Sequence, residues 1–166
     1  MMNFNFRCGC STSVLAAGAG LLMASAGLSP AHSQQVSDLI GSFSGRGTIV
    51  FSGNKRERIK CNAYNTGGGE EFRLVIRCAS TSYKIEIRSK LSRSGSQLSG
   101  TWEERTYNAE GQASGRISAG NVSLNVSGGG FTGRMTVSYS RGSQHVRIST
   151  KGIEMRSVEI NMSRTG

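Results

Sequence analysis

Hydrophobic and polar side chains alternate along most of the chain after Ser42. In residues 83–91 every apolar side chain has an odd number and every charged one an even number. The same period of two recurs in residues 72–78, 121–126, 131–139 and 158–163. Because successive side chains of a β-strand point to opposite faces, this alternation predicts strands that each bury one face.

Glycine, serine and asparagine residues interrupt the alternation at short intervals and mark the predicted turns. The pattern predicts ten strands, near residues 44–52, 56–65, 72–80, 83–93, 97–107, 112–119, 121–127, 130–140, 143–150 and 156–164. Most joints are short enough for hairpins, which pair neighbouring strands in antiparallel order. A brief helical turn is predicted only within residues 36–41.

The predicted fold class is all-β, a single antiparallel up-and-down β-barrel of about 8–10 strands. A meander of this length with one apolar face has to bury that face and hide its two edge strands, and closure into a barrel does both. A two-sheet β-sandwich is the alternative. The short connections favour the barrel, since a sandwich of this size needs long crossovers.

A hydroxyl–glycine pair recurs along the predicted strands and suggests how they curve. The glycines are Gly45, Gly100, Gly115 and Gly133, each preceded by serine or threonine. Each shares the parity of the apolar residues in its strand, so we expect it to face inward near the start of that strand. An inward glycine lets a strand bend sharply at a barrel corner.

The first 33 residues have the three parts of a secretory signal peptide: Arg7, the apolar run 14–28, and small residues at Ala31 and Ser33. The run is shorter than the roughly 20 residues that span a bilayer. Cys8 and Cys10 precede it, which argues against a lipid anchor. We therefore predict a signal peptide at 1–33, an N-terminal linker at 34–42 and a β-barrel domain at 43–166, in a periplasmic or secreted protein.

Two cysteines remain beyond the predicted signal peptide, Cys61 and Cys78. An exported protein with two cysteines most often pairs them. Both have the inward parity of their strands. A hairpin in which they face each other also places Ala63 opposite Ile76, and we predict a disulfide in this register.

The charge of the chain suggests an anionic partner. The net charge is +10, and loss of the signal peptide removes Arg7 and no acidic residue, which leaves +9. An anionic envelope surface would suit such a protein, although many exported proteins are basic without any partner. Only Tyr64 and Tyr107 are clear aromatics of outward parity, which argues against nucleic-acid binding. The outward Arg, Lys, Ser and Thr residues argue against an integral membrane barrel.

The residues of a familiar catalytic or metal site are lacking in the predicted mature sequence. His145 and Asp38 are its only histidine and aspartate, and the parity of His145, opposite to that of Val146 and Ile148, predicts an outward side chain, which argues against the usual Ser-His-Asp triad. With its cysteines paired, it also lacks the ligands of a common zinc site, and no run of spaced aspartates suggests calcium. We expect no catalytic residues, no metal and no cofactor, hence no enzyme.

Four residues are candidates for ligand contact. Trp102 and Glu104 share the inward parity of one strand, while Phe131 and Met135 share that of another. Trp102 lines a cavity or fills the core. Glu104, at the end of its strand, binds a cation or acts as an acid, or alternatively reaches solvent or pairs with a nearby arginine such as Arg105 or Arg116.

Short segments of the chain read FSGRG at 43–47, RERIKC at 56–61, RCAS at 77–80 and LSGTWEE at 98–104. In them the chain resembles a family of small exported proteins from alphaproteobacteria. The resemblance implies a periplasmic location and transfers no catalytic residue. The meander is also similar to the lipocalin and other calycin-like barrels in fold alone. The Gly-x-Trp that lipocalins carry near the first strand reads Gly45-Arg46-Gly47 here.

The residues favour a non-enzymatic binding module. It would carry a small apolar ligand inside the barrel or dock on an anionic envelope surface. The alternative is a protein-interaction or inhibitor domain that acts through its loops, such as residues 66–71.

Overall fold

A computed structural model describes residues 36–166; the predicted signal peptide, residues 1–33, lies outside the described residues. Within them, 3₁₀ turns span Val36–Leu39 and Ser52–Asn54. The strands are β1 (Gly41–Phe51), β2 (Arg56–Gly68), β3 (Glu71–Ala79), β4 (Lys84–Ser94), β5 (Gln97–Glu104), β6 (Ala109–Ser118), β7 (Asn121–Gly128), β8 (Phe131–Ser140), β9 (Ser143–Lys151) and β10 (Met155–Arg164).

The ten strands form one closed barrel, and each is antiparallel to both of its neighbours. Consecutive strands are adjacent, and β1 closes the ring by pairing with β10, with Phe43 opposite Arg164. The predicted up-and-down barrel is confirmed, and the two-sheet sandwich is wrong. Closure leaves no strand of the described barrel with an unpaired edge.

The predicted boundaries differ from the observed ones most clearly between β5 and β6. The predicted strand 97–107 ends at Glu104, and β6 begins at Ala109 rather than at residue 112. The Glu104 carboxylate accepts hydrogen bonds from the amides of Thr106 and Tyr107, which turns the chain. Asn108 completes the turn with a φ of 54°, a conformation that asparagine tolerates better than most residues.

Three of the four inward glycines, Gly45, Gly100 and Gly115, lie where neighbouring strands approach each other closely. A Cβ added to Gly45 would lie 1.9 Å from the carbonyl oxygen of Asn161 in β10, and one added to Gly115 would lie 1.9 Å from that of Ser123 in β7. Such positions accept only glycine. Gly115 falls in the second half of β6, not near its start, because β6 begins earlier than predicted.

The two ends of the barrel differ. The start of β1, the end of β10 and the β2–β3, β4–β5, β6–β7 and β8–β9 turns lie at one end, here called the closed end. The five remaining hairpin connections lie at the other end, here called the mouth. The apolar core fills the closed end and the middle of the barrel; its fully buried members include Phe43, Phe72, Leu124 and Ile160.

The 3₁₀ turn Val36–Leu39, which falls within the predicted linker, packs against the closed end. The Leu39 side chain is 1% exposed. Its carbonyl oxygen accepts hydrogen bonds from Asn65 Nδ2 at 3.1 Å and Gln144 Nε2 at 3.0 Å. Asn65 Nδ2 also lies 3.2 Å from Gln144 Oε1. These two buried amides satisfy the polar backbone of a segment that would otherwise enter the core unpaired.

The Arg164 side chain fastens the same turn. Its guanidinium donates to the carbonyl oxygens of Asp38 at 2.9 Å, Ile40 at 2.8 Å and Arg141 at 2.6 Å. The guanidinium carbon lies 4.6 Å from the ring centroid of Phe43. A single residue near the end of β10 therefore ties together both ends of the barrel-forming chain.

The disulfide Cys61–Cys78 links β2 to β3, as predicted. The two cysteines face each other in the pairing, and Ala63 lies opposite Ile76, which confirms the predicted register. Both side chains belong to the buried core.

Candidate ligand-binding cavity

An apolar cavity of about 250 Å³ opens at the mouth of the barrel. Its wall is largely aliphatic and aromatic, and several of its side chains are only half-buried because nothing fills the space beside them. Aliphatic members of this wall are Ile49, Ile85, Ile87, Val126, Ile148 and Met155. The core is thus packed at the closed end and open at the mouth.

All four candidate ligand residues line this cavity. Trp102 is 4% exposed, and its Nε1 donates to the carbonyl oxygen of Ser127 at 3.2 Å. The ring of Phe131 lies 5.1 Å from that of Trp102 and is tilted by 57°, a favourable arrangement for two aromatic rings. Met135 is buried on β8 and borders the same space.

The carboxylate of Glu104 holds three backbone amides. Oε1 accepts from Glu86 at 2.9 Å and Thr106 at 3.1 Å, and Oε2 accepts from Tyr107 at 2.6 Å. Charge-assisted bonds of this kind are stronger than neutral ones. Glu104 therefore shapes the rim of the cavity, and neither solvent nor Arg105 accounts for its position.

Aromatic residues form part of the rim. Phe51 and Tyr83 stack with centroids 4.8 Å apart, and Lys55 Nζ lies 6.0 Å from the Phe51 ring. Tyr107 is 63% exposed. A ligand entering from solvent would meet these rings before it reached Trp102.

The only charged side chains of the described residues that line the cavity are the carboxylates of Glu104 and Glu154. No Lys, Arg or His of residues 36–166 contributes to the lining, although the chain as a whole carries a charge of +10. Most basic residues of the strands, such as Arg58 and Lys60, lie instead on the outer face of the barrel. An anionic group inside the cavity would find no cation to pair with it.

Three other carboxylates have lowered pKa values, and none of them lines the cavity. A hydrogen bond from Ser80 holds the pKa of Glu57 below its usual value. Hydrogen bonds from Arg88 and from Arg147 do the same for the pKa of Glu86 and of Glu159. These shifts arise from exposed pairs on the barrel surface and do not indicate a catalytic acid.

His145, the one histidine in the described region, has the outward parity expected for it. Its Nε2 lies 2.9 Å from Glu159 Oε1.

No three His, Cys, Asp or Glu side chains of residues 36–166 cluster closely enough to hold a metal ion. None of the helical segments described has the length and hydropathy needed to cross a bilayer.

A basic groove runs along the outer face of β1, β2 and β10. Arg46, Arg56, Arg58 and Lys60 line it, and all four are exposed. Arg46 lies directly opposite Lys60 in the pairing of β1 with β2. None of the four forms an ion pair with another described residue, and the one carboxylate in the groove, Glu159, binds Arg147 and His145.

Sequence reasoning missed several residues of the cavity and of the closed end. Ile85, Ile87 and Ser89 line the cavity, and their inward parity identifies them only as barrel interior. Asn65 and Gln144 also have inward parity. A polar residue at an inward position is the sequence signal that could have identified them as partners of buried backbone. Residues 66–71, the loop named for the alternative function, lie at the closed end, away from the cavity.

Comparison with known proteins identifies the fold and no family. No family model matches the chain, and no curated protein does either. The solved structure of Rv2717c from M. tuberculosis matches 78% of this chain and 94% of its own, with a TM-score of 0.65 and 9% identity. The S-type phycobiliprotein lyase CPES from Guillardia theta matches 78% of this chain and 90% of its own, with a TM-score of 0.56 and 9% identity.

A third similar structure is a protein of unknown function of the DUF3598 family from Nostoc punctiforme, with a TM-score of 0.56 and 13% identity. The match covers 80% of this chain and 50% of that one, so this chain spans half of that protein. At such identities the likeness concerns the fold alone. It agrees with the lipocalin-like barrel expected from the meander, whereas the resemblance to an alphaproteobacterial family stays a prediction.

Proposed function

We propose that this protein binds a small, largely apolar molecule in the cavity at the mouth of the barrel. The observation that carries the proposal is the unfilled apolar space beside Trp102, Phe131 and Met135 in a barrel whose other end is tightly packed. Interiors of proteins are normally close-packed, and open apolar pockets with a few polar groups are typical of ligand sites.

The cavity volume limits the size of the ligand. About 250 Å³ lies between the roughly 150 Å³ cavity that holds benzene and the roughly 300 Å³ at which drug-sized pockets begin. A compact ring system or a short branched chain fits this space. A longer molecule would have to extend past the rim formed by Phe51, Tyr83 and Tyr107.

The proposal extends to where the protein acts and how. The Cys61–Cys78 bond is typical of an oxidising compartment, which supports a periplasmic or secreted carrier. A carrier needs no catalytic residue, and the lowered pKa values lie outside the cavity. One of the similar structures is that of a phycobiliprotein lyase, and the absence of enzymatic activity in the present chain stays a prediction.

Filling the cavity is expected to abolish binding. In Ala109→Phe, on β6 at the cavity wall, a phenyl ring would occupy space that the ligand needs. The probe is N-phenyl-1-naphthylamine, a neutral dye that fluoresces in apolar surroundings and quenches tryptophan. Trp102 is the single tryptophan of the chain, so quenching reports this site directly. We expect affinity to fall by at least about tenfold, or roughly 1.4 kcal/mol.

The matched control is Gln112→Phe, which adds the same ring on the outer face of the same strand. It should bind the dye as the wild type does. Absence of saturable binding to the wild type, or equal affinity in the Ala109→Phe variant, would contradict the proposal.

A second function is supported by the basic groove on β1, β2 and β10. We propose that it docks the barrel on an anionic membrane surface. Like charges placed directly opposite each other destabilise a sheet. Arg46 and Lys60 form such a pair, and neither has an acidic partner among the described residues. An external layer of lipid phosphates would offset that repulsion.

Neutralising two of these charges is expected to weaken docking. Each basic side chain near an anionic membrane contributes about 1 kcal/mol. The double variant Arg46→Gln/Lys60→Gln should therefore bind phosphatidylglycerol vesicles roughly 30-fold more weakly in a sedimentation assay. Arg116→Gln/Arg134→Gln, on the far side of the barrel, changes the net charge equally and should lose much less. Equal losses in both variants would show a nonspecific charge effect and refute a dedicated groove.

A further inference from the structure

We infer that the ligand carries one neutral hydrogen-bonding group and enters the cavity with that group first, to meet the hydroxyl of Ser89. This inference rests on the proposed function and adds the class and orientation of the ligand. Hydroxyl, carbonyl and amide compounds with a compact apolar body belong to this class. Apolar hydrocarbons would lack the group, and carboxylates would carry the wrong charge.

The position of Ser89 is the first observation. Ser89 lies on β4, where its strand partners are Leu74 and Trp102. It has the same inward parity as Ile85 and Ile87 and is 4% exposed. Leu91, two residues farther from the mouth, is buried in the packed core. Ser89 therefore stands at the floor of the cavity, where the open space meets the filled interior.

The second observation is that the Ser89 hydroxyl has no partner among the described residues. No hydrogen bond within residues 36–166 involves it. Yet no side-chain nitrogen or oxygen sealed from solvent in this region lacks a hydrogen bond. The hydroxyl is therefore accessible to open space. Ser89 borders both the cavity and a groove on the outer face of the barrel, and its inward parity assigns the hydroxyl to the cavity.

Three other polar groups of the cavity are engaged by the protein itself, whereas the side-chain oxygens of Tyr83, Tyr107 and Glu154 lie toward the mouth, away from the floor. Trp102 Nε1 donates to Ser127, and the Thr150 hydroxyl donates to the carbonyl oxygen of Met155. Glu104 holds three backbone amides. A hydroxyl left without a partner in an apolar wall is costly unless something else satisfies it. A ligand group at the floor would do so.

The charge of the lining decides between neutral and ionised ligands. Burying an ionised carboxylate without a partner is far more costly than burying an alcohol. No basic residue of the described chain lines the cavity, and Glu104 and Glu154 would repel an anion. The cavity is therefore unsuited to the carboxylate of a free fatty acid and suited to an uncharged polar group.

Three probes with the same skeleton, a phenyl ring and a two-carbon chain, separate these possibilities: ethylbenzene, 2-phenylethanol and phenylacetate. Each competes with N-phenyl-1-naphthylamine, and the dye reports their affinities. Ser89→Ala removes only the hydroxyl. Ser89→Thr keeps a hydroxyl at the same place, and Ser92→Ala removes one from the exposed face of the same strand.

We expect Ser89→Ala to weaken 2-phenylethanol on the order of fivefold and to leave ethylbenzene within about twofold. Ser89→Thr and Ser92→Ala should retain the preference of the wild type. Phenylacetate should bind the wild type at least about tenfold more weakly than 2-phenylethanol. Equal effects of Ser89→Ala on alcohol and hydrocarbon would overturn the inference, as would tightest binding of phenylacetate.

Ethylbenzene distinguishes a failure of the Ser89 role from a failure of the proposed function. If it displaces the dye but Ser89→Ala changes no affinity ratio, the cavity binds apolar molecules and only the role of Ser89 is refuted. If the dye binds the wild type but none of the three probes displaces it, the inference fails while the proposed function stands. If the wild type binds neither the dye nor any probe, the proposed function itself fails.

Discussion

Loss of the Cys61–Cys78 bond is expected to lower the free energy of unfolding by about 3 kcal/mol. The bond joins residues 17 apart in sequence and restricts the unfolded chain, which is the larger part of a disulfide's effect in the chain-entropy account. Both cysteines are buried on the inner face of the barrel, so alanine at both positions leaves apolar contacts largely in place.

The measurement is denaturant unfolding of Cys61→Ala/Cys78→Ala beside the wild type. The wild type should be compared with and without reducing agent after refolding from the unfolded state, so that the buried bond is accessible. Reduction should bring the wild type down to the stability of the double variant, while the double variant should not respond. If reduction left the denaturant midpoint of the wild type unchanged, the bond would not stabilise the folded state and the prediction would be wrong.

Replacing Arg164 by alanine is expected to cost about 3 kcal/mol as well. Hydrogen bonds from a charged donor contribute about 1.5–3 kcal/mol each, and three carbonyl oxygens would lose theirs together. The loss would be smaller than the sum, because water can reach this partly buried end. The cation over the Phe43 ring would disappear too.

Arg164→Lys separates charge from geometry. Lysine keeps the positive charge but lacks the planar fork that reaches three acceptors at once, so it should recover only a minor part of the loss. Arg156→Ala, an exposed site on the same strand, is the matched control and should be near neutral. Amide exchange should show the turn Val36–Leu39 released in Arg164→Ala but not in Arg156→Ala. Equal stability of these two alanine variants would contradict a fastening role.

Period-two alternation was enough to predict ten strands, their antiparallel order and the barrel. It worked because each strand has one buried face and the connections are short hairpins. The parity of Cys61 and Cys78 predicted both the bond and the register of β2 with β3. Local patterning fails where a side chain acts on distant backbone: the end of β5 depends on Glu104 holding the amides of Thr106 and Tyr107.

The candidate site was only partly accessible from the sequence. Inward parity places Trp102, Glu104, Phe131 and Met135 inside the barrel, but the same parity applies to residues of the packed half. Whether an inward residue lines the cavity or fills the core depends on which end of the barrel the turn Val36–Leu39 covers. That turn is held by residues far away in sequence, such as Gln144. The role of Ser89 was equally invisible, since a small polar residue in an alternating strand signals nothing by itself.

The pairing of β1 with β10 has a consequence for how the chain acquires its structure. The hairpins can form locally, but the last seam joins residues near opposite ends of the chain, such as Phe43 and Arg164. Contacts of such sequence separation form slowly, since the entropy of closing a long loop must be overcome first. Until β10 arrives, the sheet presents two bare edges to other chains. The barrel that still lacks the β1–β10 pairing is therefore the state most prone to association with other chains, and the pairing of β10 with β1 removes that risk.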